Sequence, residues 1–143
     1  SISDAKLILA GRNMPDTFSS DPGKGIEVLG EIKSASEFFK RPGIMTIPIH
    51  SGSGMRVKAI EGMSAGLPTV STTIGVCGLD LEHGKHALIA DSAEDFSTAL
   101  IDLLRDTELA NELAISGKNH IQKKFSNRLI ISELTEFFDT IKP

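Results

Sequence analysis

Apolar and polar positions alternate between two rhythms along the 143-residue chain. Short apolar runs rich in branched residues occur at 6–11 (KLILAG), 26–30 (IEVLG), 44–49 (IMTIPI) and 68–72 (PTVST). Each lies beside Gly, Pro, Ser or Thr, a pattern that predicts strands. The first and third are almost continuously apolar, as suits parallel strands covered on both faces. HALIAD, at 86–91, is a weaker fifth strand.

Elsewhere the period lengthens to that of a helix. SASEFF (34–39) predicts a short helix, and RVKAIEGMSAG (56–66) one that stops at Gly66, with Pro68 just beyond. In SAEDFSTALIDLLRD (92–106), Ser92 is placed to cap the start, and Phe96, Ala99, Leu100, Leu103 and Leu104 form one stripe. Leu109 and Leu113 stand at helical spacing in the next segment, beside Ala110 and Ala114, with Gly117 a candidate break. After Ser126, a last helix aligns Ile130, Leu134, Phe137, Phe138 and Ile141. The stripes of these three helices are expected in the core.

Strand–helix alternation over a length that suits one domain implies an α/β fold. The expected form is an open, mostly parallel, Rossmann-like sheet with helices on both faces. Ligands of such sheets bind at the carboxyl ends of the strands. Along that rim fall the turns Gly11–Arg12, Gly30–Glu31 and His50–Gly54.

Charge and composition narrow the function classes. A net charge of −4 gives no dominant basic surface, so nucleic acid is not an expected partner. A single Cys, Cys77, excludes an internal disulfide framework and suits a reducing cytosol; it is expected to be a small buried residue. No apolar run approaches the roughly 18 residues that span a bilayer, and no signal-peptide pattern opens the chain, so a cytoplasmic location is expected.

The candidate chemistry lies in GSGMRVKAIEGMSAGLP (52–68). Small side chains let a ligand approach the backbone of HSGSG, and the amides of Gly54, Met55 and Arg56 would point from a helix N-terminus, an anion site. Arg56 and Lys58 add charge that opposes the helix dipole, a conflict that a bound anion would resolve. Glu61 could pair with Lys58 or accept from sugar hydroxyls. Spacing alone leaves open a solvated face in which Glu61 is merely the helical partner of the cations. The segment is not a P-loop, lacking Gly-Lys-Ser or Gly-Lys-Thr, and lacks dinucleotide Gly-x-Gly-x-x-Gly spacing. His50 flanks the loop and is either a donor contact or a solvated strand-end residue. His83, His86 and His120 show no metal spacing, so no metal is assigned. QKKF (122–125) reads as a solvated helix end.

The longer string IPIHSGSGMRVKAIEGMSAGLPTVSTTIGVCGL (47–79) resembles the donor-binding segment of GT-B glycosyltransferases of the group 1 family. Pro48, Gly54, Arg56, Lys58, Glu61, Met63, Gly66, Pro68 and Thr72 stand in register with its pattern, followed by GVCGL (75–79). HGKHALIADSAEDFSTALIDLLRD, KLILAGR and IEVLGEI resemble flanking elements, so the likeness spans essentially the whole chain. The resemblance implies the nucleotide-sugar-binding, C-terminal half of a sugar transferase, one domain over residues 1–143. Glu61 would bind the donor ribose. Arg56, Lys58 and the amides of Gly54, Met55 and Arg56 would hold the diphosphate without metal or other cofactor. Gly11, Arg12, Gly30, Glu31 and Ile32 would lie near phosphate and base.

Two departures qualify the match. The first acid of the family's E-x7-E pattern is Ser53 here. The family's first, central strand and its acceptor-binding N-terminal domain are also absent, so the chain reads as a fragment, inactive alone and prone to self-association through exposed apolar surface. An acceptor that is a sugar or lipid-linked, peripheral membrane contact at the cytoplasmic face, and a role in polysaccharide biosynthesis accompany the reading. The rival readings are a nucleotide-sugar epimerase-like protein and a non-catalytic α/β binding module.

Overall fold

The computed structural model describes residues 4–141, which divide after Arg41 into two compact units. In the first, strands β1 (Leu7–Ala10) and β2 (Ile26–Gly30) pair in parallel. The register slips between Leu9 and Ala10, so that Ala10 lies opposite Gly30. The connection carries one 3-10 turn, Pro22–Lys24, capped by Asp21. The short helix α1 (Ala35–Phe38) follows β2, and the Glu37 amide donates to Ser34 Oγ at 3.3 Å.

In the second unit β3 (Met45–Ile47), β4 (Thr69–Ser71) and β5 (Leu88–Ile89) form a parallel sheet in that order. Side chains alternate across its faces. Val70 and Leu88 share one face, where they pack with Ala99 and Leu103 of α3 (Ala93–Arg105) and Leu113 of α4 (Thr107–Phe125). Ile47 lies on the other face with Ala59 of α2 (Val57–Ser64), Val76 and Leu79. The α/β class and the parallel strands are as the sequence predicts, and the β3–β5 sheet is covered on both faces. No residue of β1 or β2 is buried, so the expected two-sided covering of the first strand is not met. The strands fall in two separate sheets.

Helix ends follow their local chemistry. Gly66, at φ +89°, ends α2 just after Ala65, a conformation that glycine adopts without steric cost. Ser92 Oγ accepts from the Asp95 amide at 3.0 Å and starts α3. The side chains of Asp106 and Ser126 cap α4 and α5 (Asn127–Thr140) in the same way.

Four expectations are corrected. Helix α4 runs unbroken through Gly117, which is a packing glycine: a Cβ there would lie 2.6 Å from the His86 carbonyl oxygen and 2.7 Å from Met63 Cε. Leu104 is exposed although its stripe partners Ala99 and Leu103 are buried, because it sits at the stripe's margin. Leu134, Phe137, Phe138 and Ile141 of the last stripe are all more than half exposed, and Ile131 with them. Helices α3 and α4 already pack on the Val70–Leu88 face, and α5 makes its main contacts with α4. An apolar stripe records that a helix has a face to cover, not what covers it. The side chain of Ile130 lies outside the described residues. Finally, Cys77 is exposed, since the 3-10 turn Ile74–Val76 buries Gly75 and Val76 and turns the next residue outward.

Candidate functional site

The loop 50–54 leaves β3 and enters α2 through two glycines in the left-handed region, Gly52 at φ +120° and Gly54 at φ +87°. Side chains are strained there, so these two glycines are a backbone requirement. Helix α2 begins at Val57, with Arg56 as its N-cap and no side-chain cap bond. Among the described residues, the amides of Gly54, Met55 and Arg56 donate to no protein acceptor. Three N–H groups thus stand free beside the positive end of the α2 dipole.

The Arg56 side chain folds back over Gly52. A Cβ at that glycine would lie 2.9 Å from Arg56 Nη2, so the guanidinium rests on bare backbone. Its Nε is buried and has no hydrogen-bond partner. A buried, unpaired N–H of a charged group is costly, and an acceptor delivered to this corner would relieve that cost. Lys58 Nζ binds Glu61 Oε2 at 2.8 Å, the helical pairing that the spacing allowed. The pair is well exposed and adds little stability. Met55 projects into solvent, His50 and Ser53 are exposed, and Ser53 supplies no carboxylate. The arrangement presents two cations, three free amides and one carboxylate in the first turns of one helix. It suits an anion with hydroxyls attached.

The other predicted site residues belong to the first unit. Gly11 donates its amide to Gly30 O at 2.8 Å, and Arg12 Nε meets Glu31 Oε1 at 2.8 Å, joining the carboxyl ends of β1 and β2. Both side chains of that pair are largely exposed. Beyond Gly30, Leu29, Ile32, Phe38 and Arg41 line a groove of about 240 Å³. Arg41 lies over the Phe38 ring at 5.8 Å.

The sequence reading placed Thr72 only in the family pattern, with no role, and missed Thr73 and Asp91. Asp91 accepts from the Thr73 amide (2.8 Å, Oδ1) and hydroxyl (2.8 Å, Oδ2). These bonds, aided by the charge of His50, hold its carboxyl below the usual range. Thr72 Oγ1 donates to the Ile49 carbonyl and accepts from the Gly75 amide at 3.0 Å. The available signal was the Thr-Thr pair closing one predicted strand and the Asp closing the next.

The remaining histidines do structural work. His83 Nδ1 accepts from the Ile89 amide at 2.9 Å, and His86 Nδ1 from the Glu82 amide at 3.1 Å. The His86 ring lies 4.3 Å from that of His120, whose Nε2 bonds the Leu79 carbonyl at 2.9 Å. Burial, then the neighbouring His120 and Lys85, push His86 below its ordinary value of 6.5. The unfolded chain therefore binds more protons in the window between the two values. Stability is expected to be complete above pH 6.5 and to fall as pH drops towards the depressed value. Urea midpoints measured from pH 8 to pH 5 check this, and His86→Leu should flatten the slope below about pH 6.5. An unchanged slope in that variant would assign the acid sensitivity elsewhere.

A parallel α/β unit with a glycine loop feeding a cation-bearing helix brings free amides and two cations together at a strand-end rim, where such folds bind anions. The chain belongs to the glycosyl transferases group 1 family, whose model matches residues 1–106. It is 25% identical over 141 residues to an uncharacterized 44.6 kDa protein in the cps region of Klebsiella pneumoniae, covering 92% of this chain and 36% of that protein. Among solved structures, sucrose-phosphate synthase from Thermosynechococcus elongatus superposes with a TM-score of 0.78 at 18% identity, over 95% of this chain and 38% of that one. Anabaena Alr3699/HepE in complex with UDP gives 0.74 at 16% identity, over 83% and 33%. The chain thus spans little more than a third of these relatives' length. The likeness to both solved structures is one of fold.

Proposed function

We propose that this chain is the donor-binding part of a glycosyltransferase, and that the 50–61 segment holds a nucleoside diphosphate and its ribose. The observation that carries the reading is the conjunction at one helix start: free amides at Gly54, Met55 and Arg56, an Arg56 guanidinium with a buried unpaired Nε, and Lys58 in the first turn of the helix. Sugar transfer breaks the bond between the anomeric carbon and the diphosphate, so negative charge grows on the departing oxygen. Fixed amides, a helix N-terminus and two cations stabilise that charge in place. Glu61 has one carboxylate oxygen on Lys58; the other is available to accept from ribose hydroxyls.

Other parts of the reading follow from the relatives. The Anabaena structures hold UDP and UDP-glucose, which favours a uridine donor. The position of the Klebsiella relative in a cps region supports polysaccharide assembly. Among the described residues no helix is long and apolar enough to cross a membrane, and a cytoplasmic enzyme whose acceptor is held by another domain is the proposed setting. The exposed stripe of α5 would promote pairing between copies of the isolated chain.

Calorimetric titration of the chain with UDP, GDP and ADP tests the reading. Saturable binding of one nucleotide is expected, and Glu61→Ala should weaken it about tenfold, the loss of one hydrogen bond to a charged group. A folded chain that binds none of the three would refute the site.

A further inference from the structure

The loop 50–54 has no hydrogen bonds of its own: among the described residues, no backbone or side-chain atom of these five residues makes one. Its shape is inherited from its two ends. One end is the Arg56 guanidinium laid over Gly52. The other is Ile49, whose amide donates to Ile47 O at 3.0 Å and whose carbonyl takes the Thr72 hydroxyl. Thr72 is buried, and its hydroxyl oxygen is also fixed by the Gly75 amide at 3.0 Å, so it cannot swing away freely.

Thr72 is followed by Thr73, which is held from the opposite side by both oxygens of Asp91. Asp91 ends the β5 segment just before α3, where a carboxylate is ordinarily read as a helix cap. Here the capping is done by Ser92. The two oxygens of Asp91 are turned sideways, onto the neighbouring strand's exit. Ala90 extends the same tie, its amide donating to Ser71 O at 2.8 Å. A continuous path therefore runs from the end of β5, through Asp91, Thr73 and Thr72, to the carbonyl that starts the glycine loop.

We propose that Asp91 is a positioning residue for the donor loop, setting the base of residues 50–54 through Thr73 and Thr72; its effect on donor affinity rests on the function proposed above. Asp91 touches no atom of the donor in this role. It keeps the loop's entry fixed, so that less ordering is left to binding.

Hydrogen–deuterium exchange of the whole chain, with UDP titration beside it, tests this in Asp91→Ala and Asp91→Asn. Asp91→Ala should speed exchange of the Ile49 amide, which donates to Ile47 O, as well as exchange in 72–75 by about tenfold, and raise the UDP Kd by a similar factor, one hydrogen bond's worth. Asp91→Asn keeps an acceptor for Thr73 and should recover most of both effects, which a general loss of stability would not do. Faster exchange confined to 72–75, with the Ile49 amide and the Kd unchanged, would overturn the proposal. If the parent chain binds no nucleotide, the donor reading fails on that result and exchange of the Ile49 amide still decides the link. If Asp91→Ala does not fold, Thr73→Val removes one donor of the same tie and is read in the same way.

Discussion

Replacing both cations at the loop–helix junction, Arg56→Ala with Lys58→Ala, is expected to weaken UDP binding by at least a hundredfold and to leave the melting temperature at or slightly above the parent's. A hydrogen bond to a charged group contributes about 1.5–3 kcal/mol, and two of them correspond to factors of about 10² to 10⁴. The stability side has the opposite sign for most proteins but not here. Arg56 has a buried Nε without a partner, so truncation removes a cost. Lys58 forms only an exposed pair with Glu61, and it sits in a first turn where positive charge opposes the dipole. Binding should also weaken with added salt in the parent and much less in the variant. Calorimetry and thermal melts on the same samples separate the cases. A drop of several degrees in the variant would make these side chains structural and leave the lost binding uninformative.

That opposition between function and stability is also what made the segment legible in the sequence. Arg56 and Lys58 at the start of a helix break a local electrostatic rule, and small residues run before them without a strand or helix rhythm. Such local conflicts mark sites. Strand and helix order was equally readable, because branched runs and 3.6-residue stripes arise from the chain's own backbone geometry. What the pattern could not supply was anything decided by a distant neighbour. Phe137 and Phe138 look like core from their spacing, yet α5 lies chiefly against α4 and leaves them in solvent. Cys77 looks buried by type and is turned outward by the Ile74–Val76 turn. Asp91 looks like the last residue of a strand and instead ties two strand exits together, a contact spanning 18 residues. In each case periodicity fixes direction along one element, and the outcome depends on a partner that periodicity does not encode.

Gly117 is the sharpest case, and Gly117→Ala is expected to destabilise the chain by about 2 kcal/mol although it improves the helix. Inside a helix, alanine is favoured over glycine by about 1 kcal/mol. Against that, the new methyl group would lie 2.6 Å from the His86 carbonyl oxygen and 2.7 Å from Met63 Cε, far inside ordinary contact. The methionine end can move, but the carbonyl is less free. The His86 amide donates to Glu82 O at 3.0 Å while its ring accepts from the Glu82 amide, closing that segment on itself. Overpacking of a rigid neighbour costs about 3 kcal/mol at the upper end, which outweighs the propensity gain. For a domain of this size the difference lowers Tm by roughly 6 °C. Met63→Ala should recover part of the loss when combined with Gly117→Ala, a coupling of at least about 0.5 kcal/mol in a double-mutant cycle. Ile115→Ala on the exposed side of the same helix is the control and should shift stability by less than about 0.5 kcal/mol. A rise in Tm for Gly117→Ala would mean that α4 stands off the His86 carbonyl. The glycine would then be an ordinary interior position of the helix, with no role in holding α4 against α2, the helix that carries Lys58 and Glu61.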